Sequence, residues 1–163
     1  MAGVSDSQQY VLFRLGPEEY GLPIAKVSSI IRYEPATPVP RAPASIDGVI
    51  NLRGRVIPIV NLSQRLFGTD FEPTSTSRIV VAEGEGGPVG LAVDGASEVA
   101  TIAPDEIMPP PETVLTTETA EAFQGVARYG ERLVILLDLD KALPRAEYET
   151  QAAAETSGGD ADG

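Results

Sequence analysis

From residue 9 onward the chain is a succession of short apolar runs broken at close intervals. QYVLFRL (9–15), EYGLPI (19–24) and KVSSIIRY (26–33) are rich in Val, Ile, Leu and aromatic residues. Each is bounded by glycine, proline or paired carboxylates, which predicts strands. GPEEY (16–20) and EGEGGPV (83–89) read as the hairpin connections between such runs. Pro58, inside VIPIV, cannot donate to a ladder, so a strand through it needs a free side or a bulge. Brief helices follow: Ser63 to Phe67, stopped by Gly68, and Asp140 to Leu143, stopped by Pro144, with Ser63 and Asp140 as N-cap types. Short strands at regular spacing with one small helix per set favour small closed barrels over a long open sheet.

The pattern occurs twice. IDGVINLRGRVIPIVNLSQRL (46–66) aligns without a gap on FQGVARYGERLVILLDLDKAL (123–143) at an offset of 77, so that Gly48 meets Gly125, Arg55 meets Arg132 and Leu62 meets Leu139. Upstream, YGLPIAKVSSI (20–30) aligns on VGLAVDGASEV (89–99) at an offset of 69, and VLF at 11–13 on VVA at 80–82. The eight extra residues fall in the proline-bearing connections 34–45 and 103–122, where insertions are tolerated. A period this long, present twice, is a duplication and not a solenoid. The expected organisation is a first β-barrel subdomain at 8–70 and a second at 71–145, joined through GTDFEPTSTS (68–77). Residues 1–7 and the acidic stretch 146–163 lack periodic apolar positions and are expected to be flexible tails.

Composition narrows the function. With no cysteine, a disulfide framework and a thiolate metal site are excluded, and with no histidine the commonest general base and metal ligand are gone. No metal or other cofactor is expected. The net charge of −12 argues against nucleic acid, since phosphate binding needs clustered Lys and Arg. Of the 12 basic residues only Lys26 and Lys141 are lysines, an acidic, lysine-poor balance that suits a salt-rich cytoplasm. No basic stretch precedes an apolar N-terminal run, and no segment is long enough to span a bilayer. A cytoplasmic protein without membrane insertion is therefore expected.

Candidate chemistry is sparse. DLD (138–140) offers a carboxylate pair, yet its repeat partners Asn61 and Ser63 share only the ability to cap a helix, which favours a structural role. GEGGPVG (84–90) has the glycines of a phosphate loop but continues as strand, so it reads as a hairpin. MPPPETV (108–114) is read as a rigid connection, with a polyproline ligand as the alternative. Nothing places a nucleophile beside a base, and an enzyme is not expected. What remains is binding surface. In NLRGRV, Gly54 permits a tight turn, and the flanking arginines are either solvated turn residues or a contact. Arg55 has a copy, Arg132, and so is assigned to the shared architecture. Arg53 faces Gly130 in the other copy, which makes it the functional candidate.

These residues carry a resemblance. FRLGPEEYGLPIAKV (13–27), the run P-x-x-I-x-G-V-x-N-L-R-G-x-V-x-P-I-V-x-L from Pro43 to Leu62, and VGLAVDGASEV (89–99) resemble the chemotaxis coupling protein CheW family over about 8–145. The module also occurs as the regulatory domain of the histidine kinase CheA and in CheV. The resemblance implies a mostly β fold of two SH3-like five-stranded β-barrels packed side by side, with short helices. It implies a non-enzymatic chemotaxis adaptor coupling the cytoplasmic tip of a chemoreceptor to the regulatory domain of CheA, in the cytoplasm at membrane-associated receptor arrays. Carried over by position, Arg53 and Gly54 match the family's Arg-Gly signature near the receptor groove. Val27 and Gly48 fall where receptor or kinase contacts are usually placed, and Ile30, on the adjoining strand, is carried over with them as a partner-binding residue. Many relatives have a glutamate at the position of Ser29 that is able to pair with the arginine numbered 53 here, and serine cannot supply that charge. The competing readings are a small-ligand binding barrel and a kinase regulator that binds no receptor.

Overall fold

The computed structural model describes residues 7–109 and 122–143. Most of the expected tails, and the proline run beyond Pro109, lie outside the described residues. Among the described residues the strands are β1 (Gln8–Leu15), β2 (Glu18–Pro23), β3 (Val27–Arg32), β4 (Ile46–Leu52), β5 (Arg55–Asn61), β6 (Arg78–Gly84), β7 (Gly87–Val93), β8 (Gly95–Ile102), β9 (Ile107–Met108), β10 (Phe123–Tyr129) and β11 (Arg132–Leu137). Two short helices, α1 (Leu62–Phe67) and α2 (Leu139–Ala142), follow β5 and β11. The fold is mostly β, with two SH3-like subdomains side by side.

The sheets do not follow the sequence modules. Sheet I has the order β8-β1-β2-β11-β10-β9, and sheet II the order β3-β6-β7-β5-β4. The first hairpin of each module thus pairs with the later strands of the other, and the division at 8–70 and 71–145 does not coincide with the sheets. The connectors explain why. Only Asp94 separates β7 from β8, and a single 3-10 turn, Ile24–Lys26, separates β2 from β3. A one-residue link cannot reverse a chain, since the tightest common hairpin needs two, so β7 runs on into β8 in the opposite sheet, and the 3-10 turn carries β2 on into β3 in the same way. The parallel pairings β11–β2 and β5–β7 close the exchange at equivalent places.

This exchange creates three apolar layers. Tyr10 and Leu12 of β1 face the core of sheet I together with Ala100, Ile102, Ala127, Val134 and Leu136. Ile50, Ile57, Ile59, Ile79, Val81 and Ala92 form the core of sheet II. The alternate residues of the same strands (Phe13, Leu15, Tyr20, Leu22, Val60, Val80, Leu91, Val93) meet between the sheets, with Leu62, Leu66, Leu139 and Ala142 of the helices. That is why β1 and β6 read as continuous apolar runs, buried on both faces.

The helices sit where expected, but their caps lie two residues before Ser63 and Asp140. Asn61 Oδ1 accepts from Gln64 N–H at 3.1 Å and Asp138 Oδ1 from Lys141 N–H at 3.2 Å. The same alignment that pairs Asn61 with Asp138 makes them equivalent caps. Arg65 of α1 donates to the carbonyls of Ala142 and Leu143 at 3.1 and 3.3 Å, tying the two helices together. Pro58 immediately precedes Ile59, where the ladder with β7 begins, so its missing donor falls at a ladder end.

Reciprocal exchange leaves neither half a complete sheet. Cutting the chain after Thr74 should give two fragments that are largely unfolded alone and regain native circular dichroism and a single elution peak when mixed. A stably folded monomer from either fragment would contradict this.

Candidate functional site

The five residues singled out by sequence occupy three places. Val27 and Ile30 lie on β3 and Gly48 on β4, at opposite ends of the strand order of sheet II, while Arg53 and Gly54 form the β4–β5 turn. Val27 is half-buried and packs against the layer between the sheets. Ile30 is 42% exposed beside Val80, which belongs to that layer. The β3 pair therefore marks the apolar seam where the two sheets meet solvent.

Arg53 and Gly54 are the two central residues of a tight hairpin, with φ of 55° and 84°. Positive φ at both positions matches the right-handed twist of the strands, and Gly54 N–H donates to Asn51 Oδ1 at 2.9 Å. For glycine this is free, but for arginine the left-handed conformation costs about 1 kcal/mol. The other copy places Gly130, φ 65°, at the equivalent position. Arg53 is exposed, and among the described residues it forms no ion pair.

Gly48 behaves differently. It is buried, has φ 146°, and a Cβ there would lie 2.1 Å from the Thr37 carbonyl oxygen. The Thr37–Val49 bridge lays the proline-bearing segment directly over it. It lets that segment pack closely on β4.

The two copies differ most at one end of the inner faces. In sheet I, Arg132 reaches Glu19 at 3.3 Å and Glu98 at 3.2 Å, and its guanidinium lies 5.1 Å from the centre of the Tyr129 ring. A hydrogen bond to Glu98 holds the Tyr129 phenol above its ordinary pKa, with burial adding to the effect. In sheet II the equivalents are Arg55, Pro88, Ser29 and Leu52, and no described carboxylate pairs with Arg55. The assignment of Arg55 and Arg132 to one shared architectural role therefore describes Arg132 and does not describe Arg55.

Sequence reasoning also missed a repeated apolar exposure. Ile30 and its counterpart Val99, 48% exposed, and Val56 and its counterpart Leu133, 67% and 59% exposed, stand at equivalent positions. The duplication contained that signal, because a residue exposed in one copy marks the same position in the other. Two clefts flank the helices. One of about 280 Å³ is lined by Lys26, Lys141, Glu85, Asp138 and Asp140. There Asp140 accepts from Glu85 N–H at 2.8 Å and lies 3.9 Å from Lys26, so the DLD carboxylates serve a cap and a hairpin. The other, of about 290 Å³, lies between the β1–β2 turn and α1, and its Asp94 accepts from Gly16 N–H at 2.5 Å. Among the described residues no cluster of His, Cys, Asp or Glu could hold a metal ion, and no helix is long and apolar enough to cross a membrane.

Comparison with known proteins agrees with this architecture. A family model described as CheW-like domain matches residues 9–147. The chain is 39% identical to the chemotaxis protein CheW of Rhizobium meliloti (strain 1021) over 142 residues, covering 87% of this chain and 91% of that protein. It is 35% identical to the chemotaxis protein CheW of Klebsiella aerogenes over 147 residues, covering 90% and 88%. The crystal structure of the scaffolding protein TtCheW from Thermoanaerobacter tengcongensis superposes with a TM-score of 0.76 at 32% identity, covering 86% of this chain and 91% of that one.

Gly48→Ala should lower stability by about 3 kcal/mol, because the added carbon meets backbone at a left-handed position. Urea unfolding measures this, and a loss under 1 kcal/mol would show that the segment over β4 yields easily.

Proposed function

The chain belongs to the CheW-like family, a family of chemotaxis scaffolding proteins and not of enzymes, and from that membership we propose that it couples the cytoplasmic tip of a chemoreceptor to the regulatory domain of the histidine kinase CheA. On this reading it works in the cytoplasm, at membrane-associated receptor arrays. The observation that carries the reading to particular residues is the conformation of Arg53. An exposed arginine held at positive φ, without an ion pair among the described residues and where the other copy has glycine, does nothing for folding that glycine would not do better. Its retention is accounted for by a partner.

An adaptor without chemistry acts by favouring one arrangement of its partners over another. Val27 and Ile30 supply apolar contact along the seam between the sheets, and Arg53 with Gly54 supplies orientation from the turn. Gly48 contributes by holding β4 in place. Ser29 supplies no charge to either arginine of the turn, and among the described residues Arg53 forms no ion pair, which leaves it available to a carboxylate on the receptor.

Arg53→Gly and Arg53→Ala are the variants to compare. Stability of the glycine variant should stay within about 1 kcal/mol of the wild type, because relief of strain offsets the added chain entropy. Its affinity for a receptor-tip fragment, measured by pull-down and calorimetry, should fall about tenfold. A parallel loss of stability and affinity would assign Arg53 to folding. Binding of the wild type to neither the receptor tip nor the kinase's regulatory domain would end the adaptor reading.

A further inference from the structure

We infer that Arg55, at the end of the inner face of sheet II, is a docking point for a carboxylate side chain of a partner protein. The inference rests on the adaptor reading and adds a residue and a chemistry to it. The template is internal. The fold contains the same site twice, and in sheet I the site is filled from within the chain.

Strand alternation fixes which side chains share the site. Arg132 is in phase with Val134 and Leu136, Glu98 with Ala100 and Ile102, and all four of those apolar residues line the core of sheet I. Glu19 is in phase with Gly21, whose surroundings are Leu12, Val134 and Leu136. The cluster of Arg132, Glu19 and Glu98 therefore latches one end of that core, with Tyr129 packed beneath the guanidinium.

In sheet II the same phase puts Arg55 with Ile57 and Ile59, Ser29 with Ile31, and Pro88 with Ala92, all of them around the second core. The cation is retained, but both carboxylates are replaced, Glu98 by Ser29 and Glu19 by Pro88, and the aromatic is replaced by half-buried Leu52. Glu83, paired with Pro88 on β7, forms no ion pair with Arg55. What sheet II lacks is the anion that its twin supplies in cis. In a chain of net charge −12, an arginine over an apolar floor that has no ion pair among the described residues is complementary to an acidic side chain brought by another protein. Such a contact is rim-exposed, so it acts through orientation and encounter rate as well as affinity.

The test uses the full chain with two probes, a receptor-tip fragment and the kinase's regulatory domain, titrated across a range of salt. Arg55→Ala should weaken binding to at least one probe about tenfold and flatten its salt dependence, with the melting temperature unchanged. Pro88→Glu, which returns the carboxylate that Glu19 provides in the twin, should occupy Arg55 internally and weaken the same interaction. Arg132→Ala, which opens the other latch, should lower the melting temperature only slightly and leave that interaction intact. Wild-type affinity and salt slope in both the Arg55→Ala and Pro88→Glu proteins would overturn the inference while leaving the adaptor reading standing. Failure of the wild type to bind either probe would remove the adaptor reading and this inference with it.

Discussion

The structure depends on one shared layer of apolar side chains between two sheets, and that layer exists because each module lends its first hairpin to the other. Phe13, Tyr20 and Leu22 from one hairpin and Val80, Leu91 and Val93 from the other meet across it, with both helices sealing its end. A strand buried on both faces must be apolar on both faces, and β1 and β6 are. Because every sheet contains strands from both modules, neither subdomain can loosen without disturbing the other. For a protein that works by holding partners in a fixed relation, that stiffness between its two halves is the central physical asset.

Duplication with exchange produces a molecule with two near-equivalent faces, and the proposed function is placed where the equivalence has been broken. Exposed apolar residues are kept in register on both sides, as Ile30 with Val99 and Val56 with Leu133. Charge is not. One inner-face end is latched by Arg132 between two carboxylates, and the other keeps the arginine and loses both acids. Surface ion pairs contribute little to stability, so the absence of one latch costs the fold little and leaves an exposed arginine without an ion pair among the described residues. Arg53 belongs to the same end, at a turn whose geometry would suit glycine better.

Much was legible in the sequence. The duplication, the strands, the hairpin turns, the positions of both helices and the apolar cores follow from residue type and spacing, because side-chain alternation and turn stereochemistry are local. The family follows from the Pro43–Leu62 run. That Gly48 must be glycine is visible only in the tertiary structure, because the overlying Thr37 segment is what leaves no room for a side chain there. The caps at Asn61 and Asp138 were displaced by two residues, a shift decided by which side chain reaches a free N–H.

The sequence by itself determined that there are two copies of one β module and that each exposes a Gly-centred turn with a following arginine. Only the tertiary structure decided which hairpin completes which sheet. Two copies with the same apolar phase present interchangeable edges, so pattern alone cannot choose between pairing within a module and pairing across modules. The choice lies in the connectors: a one-residue link that cannot reverse the chain between β7 and β8, and a 3-10 turn that carries β2 on into β3. The fates of Arg55 and Arg132, identical in sequence, separate for the same reason. An arginine's role is set by the residues brought opposite it, and those come from distant strands.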